Sequence, residues 1–294
     1  MIRILGTIFA GLLGLAFGSF LNVCLSRWPE GESIVQPRSH CRNCDHALAW
    51  WENVPVVSWL ALRGRCRQCG TAIAWRYPLV ELAVGALWAA VAWRYVIGLD
   101  PLLSGILVWF ELADAASGML LAWLLVALAV LDAENLWLPN FLTLPGIILG
   151  LITVVTREEL AQRLDGYRPP FRALLLLLPS HLAAIIVCAG LVLLIRWLYQ
   201  LIRHREGMGL GDAKLMALLG AWLGLPGALL AFVIGALLGT LVALVMLTTP
   251  AARREGETWA AVKLPFGTFL CIGGIVSSLW GQTILTAYLR WAGL

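Results

Sequence analysis

Long apolar runs, separated by clusters of charged and turn-forming residues, dominate the pattern of the chain. A helix needs roughly 20 mostly apolar residues to cross a bilayer. Runs of this kind extend over about 5–25, 79–98, 114–131, 137–156, 173–195, 227–248 and 265–289. A shorter apolar piece over about 212–225 ends at Leu225-Pro226-Gly227 and would rise only about 21 Å as a helix. The pattern predicts an all-α polytopic membrane protein with about eight transmembrane helices, or seven if the short piece does not cross.

Composition supports this fold class and excludes a water-soluble domain. Apolar residues make up 61% of the 294 residues, charged residues only 13%, and the mean hydropathy is +0.85. Soluble domains carry about 25% charged residues, so a protein of this composition must expose apolar surface to membrane lipid. The net charge of +4 is not arranged as a continuous basic stripe. We therefore expect no nucleic-acid partner.

Basic residues orient the predicted helices, because Lys and Arg concentrate in cytoplasmic loops. With the N-terminus outside, thirteen basic residues fall inside and seven outside, while Lys214 lies near a membrane boundary. The largest group inside lies in the loop 26–78. In this orientation Asp132 and Asp212 both lie at the cytoplasmic face.

Two Cys-x-x-Cys pairs lie in the predicted cytoplasmic loop. The first pair is Cys41 and Cys44, and the second is Cys66 and Cys69. Four thiolates with this spacing suit a tetrahedral Zn²⁺ ion. Two disulfides are the alternative, but cytoplasmic thiols stay reduced. The spacing therefore predicts a structural zinc site, and four cysteine ligands would leave no open position for catalysis.

Two aspartates at the ends of apolar segments are candidates for catalysis. Asp132 follows the run 114–131, and Asp212 follows Gly209-Leu210-Gly211. Ionisable groups at membrane depth are costly, which makes them candidates for function. Two carboxylates held close together share one proton, so that one acts as base and the other as acid. The glycines permit close approach of the backbone, although Gly-x-Gly-Asp alone is also compatible with a helix-capping aspartate.

Helix dipoles distinguish the two carboxylates. Asp132 lies near a predicted helix C-terminus, where negative charge is disfavoured, and Asp212 near an N-terminus, where it is favoured. We therefore expect the shared proton mainly on Asp132, with Asp212 as the base. Lys214 either biases this pair or binds lipid headgroups, and lipid binding is the interpretation that we favour.

Motifs along nearly the whole chain resemble those of one family of membrane proteases. In chain order they are Gly18-Ser19-Phe20-Leu21-Asn22-Val23, the two cysteine pairs, Asn53-Val54-Pro55, Ser58-Trp59-Leu60, Arg76-Tyr77-Pro78-Leu79-Val80-Glu81, the two aspartate segments and Pro265-Phe266-Gly267. Together they resemble the type IV prepilin peptidases, which are related to the Gly-x-Gly-Asp intramembrane aspartic proteases. The resemblance implies that Asp132 and Asp212 are catalytic. It implies supporting roles for Gly209, Gly211, Lys214, Pro265 and Gly267.

The chain departs from the family pattern at one position. Leu138-Pro139 is followed by Asn140, where family members often have an aspartate. An amide cannot replace a catalytic carboxylate. The departure therefore favours Asp132, rather than position 140, as the catalytic residue.

The resemblance implies an enzyme of the inner (cytoplasmic) membrane with two activities. It would remove short basic leader peptides from prepilins or type II secretion pseudopilins, cutting after a glycine. It would also methylate the new N-terminus with S-adenosylmethionine, for which the sequence itself offers no nucleotide-binding motif. Residues 1–98, enclosing the cysteine loop 26–78, would be associated with methylation, and residues 99–294 would form the peptidase. A leader peptidase without methylation and an ion-coupled transporter remain alternatives.

Overall fold

The computed structural model describes residues 2–95, 105–164, 178–204, 208–248 and 264–293, and helices account for most of them. The α-helices are α1 (Ile2–Arg27), α2 (Val57–Ala61), α3 (Arg76–Tyr95), α4 (Gly105–Asn135), α5 (Asn140–Leu164), α6 (Leu178–Arg203), α7 (Leu210–Thr248) and α8 (Phe266–Trp291). Two short 3₁₀ helices, Trp28–Glu30 and Trp50–Asn53, lie in the loop between α1 and α3. The predicted all-α fold is confirmed.

Five helices within the described ranges are long and apolar enough to cross a membrane. They cover Arg3–Glu30, Glu111–Asn135, Leu178–Arg203, Leu210–Met246 and Phe266–Trp291. A shorter apolar helix covers Asn140–Thr156, and the 20-residue α3 lies where a span over about 79–98 was predicted. The chain is an integral membrane protein, while the number of eight spans stays a prediction. Parts of two predicted runs, 96–98 and 173–177, lie outside the described residues, as do several of the basic residues counted for orientation.

The predicted interruption near Leu225-Pro226-Gly227 corresponds to a break inside α7. Gly224 has φ 66° and ψ −178°, which is not helical, and Pro226 follows two residues later. Proline has no N–H to donate and its ring crowds the preceding turn, while glycine tolerates a positive φ. The break therefore separates a first segment that carries Asp212 from a second, longer one.

The structure divides into two compact units, Met1–Ala127 and Leu128–Leu294. In the first unit, α1 packs against α3 through glycines. A Cβ on Gly14 would lie 2.9 Å from the Cα of Gly85, and a Cβ on Gly18 would lie 2.7 Å from the Cα of Glu81. Small residues let helices approach closely where lipid provides no hydrophobic force between them. This contact fixes the ends of α1 and α3 next to the cysteine loop.

In the second unit, α7 packs against α5, α6 and α8. Gly220 of α7 lies against the backbone of Ala184 in α6. A Cβ added at Gly220 would lie only 2.9 Å from the Ala184 carbonyl oxygen. Gly273 of α8 lies closer still to the carbonyl of Ala231 in α7. The first segment of α7 is almost fully buried, with Leu215, Leu218 and Leu219 at 0% exposure. Asp212 therefore begins a rigid, central segment of this unit.

Candidate active site and metal centre

Asp132 lies in the last turn of α4 and is held by the beginning of α8. Only 6% of the residue is exposed. Its Oδ2 accepts a hydrogen bond from the Thr268 backbone N–H at 2.7 Å and lies 3.3 Å from the Thr268 hydroxyl. That hydroxyl also donates to the Ala129 carbonyl at 2.9 Å. Thr268 therefore fixes both the carboxylate and the helix turn that carries it.

Gly267 permits this approach of α8 to Asp132. A Cβ at this position would lie 2.9 Å from Asp132 Oδ2 and 3.0 Å from Leu138 Cδ1. Pro265 precedes it at the helix N-cap, and its carbonyl accepts the Thr268 N–H at 3.2 Å. The motif Pro265-Phe266-Gly267 thus opens α8 and places no side chain at position 267, where the helix meets the carboxylate.

Asp212 lies in the first turn of α7 and is 7% exposed. Its Oδ2 accepts the Gly209 N–H at 3.2 Å, as an acidic side chain in the first turn does when it reaches back to the residue that caps the helix. Gly211 lies against Leu138, because a Cβ there would come within 3.0 Å of both Cβ and Cδ1 of that leucine. The segment before α7 is also tied to α6, since Arg196 donates to the Met208 carbonyl at 2.7 Å.

The two carboxylates share one neighbourhood. Both are buried in the second unit. Leu138 contacts the glycine next to each carboxylate, Gly211 on one side and Gly267 on the other. An arrangement of two buried, neighbouring acids can hold one proton between them. Its chemistry is that of an acid–base pair, and the catalytic role of the two residues stays a prediction.

The helix dipoles that act on Asp132 include that of α8 as well as that of α4. The N-terminus of α8 points at the same carboxylate and donates the Thr268 N–H to it. A helix N-terminus and a hydrogen bond both stabilise negative charge, which opposes the effect of the α4 C-terminus. The dipoles therefore do not assign the proton to Asp132. Thr268 could not be recognised from local sequence, because its contact spans more than a hundred residues.

Lys214 has a protein partner that the sequence did not indicate. Its Nζ donates to Asn140 Oδ1 at 2.6 Å, which joins the first turn of α7 to the first residue of α5. Asn140 is the residue at which the chain departs from the family pattern. The side chain is therefore a hydrogen-bond acceptor for Lys214, and the predicted lipid contact of Lys214 stays untested.

The four loop cysteines form a cluster in the first unit. All of their Sγ atoms lie within 4.8 Å of one another, and none takes part in a disulfide. Cys41 and Cys69 are 3.8 Å apart, and Cys44 and Cys66 are 4.0 Å apart. A tetrahedral Zn²⁺ with Zn–S bonds of about 2.3 Å would separate its sulfurs by about 3.8 Å. The cluster can therefore hold a metal ion.

Two matching hairpins build the cluster. In the first, the Asp45 N–H bonds to the Cys41 carbonyl at 2.9 Å, and in the second the Gly70 N–H bonds to the Cys66 carbonyl at 2.9 Å. Asp45 and Gly70 both have positive φ, 53° and 73°. Thr71, which follows Gly70, hydrogen-bonds the Cys69 sulfur and lowers the pKa of that thiol.

Two family models match the chain. Residues 12–95 match the Bacterial Peptidase A24 N-terminal domain, and residues 119–244 match the Type IV leader peptidase family. The first match covers the cysteine hairpins, α3 and most of α1. The second covers both aspartates.

Curated proteins similar to the chain carry the name prepilin leader peptidase/N-methyltransferase. The protein of Stutzerimonas stutzeri is 36% identical over 96% of this chain and 93% of its own length. That of Pseudomonas aeruginosa is 35% identical over 96% and 93%, and that of Pseudomonas putida 33% identical over 97% and 94%. No solved structure matches the chain.

Proposed function

Because the chain belongs to the type IV leader peptidase family, we propose that it cleaves the short basic leader from type IV prepilins or type II secretion pseudopilins and methylates the new N-terminus. The observation that supports the proposal best is the pair of buried carboxylates, Asp132 and Asp212, each held by an N–H donor and both next to glycines that contact Leu138. Two acids of this kind can activate water against a peptide carbonyl without leaving their fixed positions.

The cleavage step divides the roles between the two carboxylates. The ionised one accepts a proton from water as the water oxygen bonds to the scissile carbonyl carbon. The protonated one donates its proton to the peptide nitrogen as the carbon–nitrogen bond breaks. The products are the leader with a new carboxylate and the mature chain with a free amine. Thr268 and Gly209 act as positioning residues that keep the carboxylates in place between turnovers.

The four-cysteine cluster would hold Zn²⁺ as a structural ion. Four thiolates complete a tetrahedral site, and a closed site of this kind stabilises the fold rather than binding substrate. The hairpins alone bury few large apolar side chains, since Trp50, Val57 and Leu60 are exposed. A metal would therefore supply much of the stability of the loop.

Methylation is the part of the proposal that involves the first unit. When bound, S-adenosylmethionine supplies an electrophilic methyl group on a sulfonium. We assign residues 1–98, with the loop 26–78, to this activity and residues 99–294 to the peptidase. The names of the relatives join both activities in one chain, and the chain covers over nine-tenths of their length.

The proposed location is the cytoplasmic (inner) membrane, with both sites at its cytoplasmic face. Five helices of the part of the chain that the structure describes are suited to cross a bilayer, and basic residues favour the inner side. The same rule, that basic residues next to a membrane helix stay on the cytoplasmic side, applies to a substrate with a basic leader and an apolar helix. Its leader would remain at the face that carries the two aspartates.

One experiment tests the proposal. The detergent-solubilised chain is incubated with a prepilin and S-adenosylmethionine, and the product masses are measured. The proposal predicts a product shortened by its leader and heavier by one methyl group. A shortened but unmethylated product would leave a leader peptidase alone. An uncut prepilin would contradict the proposal. It would favour the alternative that the chain is an ion-coupled transporter, in which the two acids bind ions.

A further inference from the structure

A cavity with several polar side chains in its wall lies in the first unit, and neither aspartate of the carboxylate pair is among its lining residues. It has a volume of about 780 Å³ and is lined by the end of α1, the beginning of α3 and the cysteine loop. Cavities of roughly 300–1,000 Å³ are typical of small-molecule sites. Asn22, Glu52 and Glu81 are among its lining residues and are each at most 7% exposed. Nothing in the proposed cleavage step uses these buried polar groups.

Two buried acceptors in the cavity wall lack partners within the described residues. Asn22 donates its amide to the Tyr77 carbonyl at 2.9 Å, but its Oδ1 accepts no hydrogen bond. Glu52 Oε2 accepts from Ala49 N at 2.7 Å, which lowers the pKa of this carboxyl, yet its Oε1 is unpartnered. Buried polar atoms without partners are uncommon and call for an occupant that satisfies them. Here the occupant must provide hydrogen-bond donors.

Glu81 adds a buried carboxyl group, held in one position, to the same wall. Its Oε2 accepts the Val56 N–H at 2.7 Å. The missing side chain of Gly18 lets α1 press against the Cα of Glu81, which leaves the carboxylate little freedom. A held carboxylate in a partly desolvated cavity attracts a cation more strongly than one in water. The cavity therefore fits a ligand that combines positive charge with several N–H or O–H groups.

Building on the proposed methyltransferase activity, we infer that this cavity binds the methyl donor, with Glu81 facing its cationic sulfonium and with Asn22 and Glu52 accepting from its amino or hydroxyl groups. S-Adenosylmethionine has these features together: a sulfonium, an ammonium, an exocyclic amine and two ribose hydroxyls. In the transfer, the sulfur–methyl bond breaks and its electrons stay on sulfur. The substrate nitrogen bonds to the methyl carbon and loses a proton to solvent. The released product, S-adenosylhomocysteine, therefore carries no charge on its sulfur.

The loss of charge at sulfur gives the inference a specific test. The dissociation constants of S-adenosylmethionine and of S-adenosylhomocysteine, which lacks the sulfonium, are measured by calorimetry on the full-length, metal-loaded chain in detergent. Glu81→Gln keeps the size of the side chain and an acceptor for Val56 N–H. It should weaken binding of the sulfonium ligand by about tenfold and of the neutral one by less than about threefold. A purely structural role of Glu81 would weaken both ligands equally and would overturn the assignment.

Two further variants control for folding and for charge. Glu32→Gln removes a carboxylate from an exposed position on the same cavity and should change either constant by less than about twofold, since exposed charges are screened. Glu52→Gln retains an acceptor for Ala49 N–H and should weaken both ligands to a similar extent. If both Glu81→Gln and Glu52→Gln bound S-adenosylmethionine as tightly as the unaltered chain, the ligand would not bind in this cavity.

The same samples separate this inference from the proposed function. Each variant is also tested for metal content and for leader cleavage, which report that both units are folded. If the unaltered chain cleaves but binds neither ligand, methylation and the cavity assignment both fail while the peptidase stands. If it cleaves, methylates and binds the donor with no effect of Glu81→Gln, only the cavity assignment fails.

Discussion

The cysteine cluster and the carboxylate pair differ in how far the chain must fold to assemble them. All four thiols come from two hairpins between Cys41 and Cys69, each closed by its own backbone hydrogen bonds. The carboxylate pair depends on the ends of α4, α7 and α8, which are brought together only by helix packing. Local sequence can therefore encode the metal centre, whereas the acid pair is a property of the packed second unit. Damage to one site should leave the other intact.

Removing the metal should produce the largest and most selective effect. Cys66→Ser replaces a buried ligand, and we expect metal content to fall below about a tenth of an ion per chain, with unfolding of the loop. Binding of S-adenosylmethionine should be lost. Leader cleavage should stay within about threefold of the rate of the unaltered chain, because the residues that contact the two aspartates belong to the second unit. Metal analysis and cleavage assays on the same sample measure both. Loss of cleavage in parallel with the metal would show that the two sites are not separable.

Gly267→Ala is the corresponding change in the second unit. The new Cβ would lie 2.9 Å from Asp132 Oδ2, so either the carboxylate or the start of α8 must move. A displacement of about 1 Å at a catalytic group can cost about a hundredfold in rate, and we expect a loss of that order in kcat. Gly190→Ala is a matched control, since its added Cβ would meet no atom within 4 Å. An unchanged kcat in Gly267→Ala would show that the close contact between Gly267 and Asp132 is not needed for cleavage.

The two glycines before Asp212 should respond differently to the same change. A Cβ on Gly211 would press on Leu138 at 3.0 Å, whereas a Cβ on Gly209 would meet only ordinary contacts beginning at 3.5 Å. We expect Gly211→Ala to reduce cleavage by about tenfold, because crowded positions must shift. Gly209→Ala should stay within about threefold of the unaltered rate. Equal losses would indicate that both glycines serve flexibility rather than close packing.

Asn140→Asp should have the smallest effect. It converts the Asn140–Lys214 hydrogen bond into a charge-assisted one, which is stronger by about 1 kcal/mol. We expect a rise in the thermal midpoint of unfolding of a few degrees and little change in kcat, because neither side chain takes part in proton transfer. The double variant Asn140→Asp/Lys214→Met should lose the gain. If Asn140→Asp alone alters kcat several-fold, Lys214 acts on the carboxylate pair itself.

The sequence predicted what depends on local spacing. The apolar runs, the break near Pro226 and the cysteine pairs all follow from residues close together in the chain, and the structure has helices, a non-helical Gly224 and a thiol cluster there. The motifs resembling one family also pointed to both aspartates. What the sequence could not provide is the set of contacts between distant segments.

Three such contacts changed the interpretation of individual residues. Thr268 holds Asp132, Asn140 accepts from Lys214, and Gly18 packs against Glu81. Each joins positions separated by more than sixty residues, so no periodicity or spacing rule could indicate it. The helix dipoles at Asp132 include that of α8 as well as that of α4, so the position of the shared proton stays a prediction. Charge at a buried site depends on every element around it.

The most direct test of the account is the loss of either carboxylate. Asp132→Asn and Asp212→Asn are compared with Glu134→Gln, which removes an exposed carboxylate two residues from Asp132. Cleavage of a prepilin is followed by mass, and metal content reports the folding of the first unit. The account predicts that each aspartate variant loses at least about a thousandfold in rate, with full metal content, while Glu134→Gln cleaves normally. Cleavage at near-normal rate by either aspartate variant would contradict it.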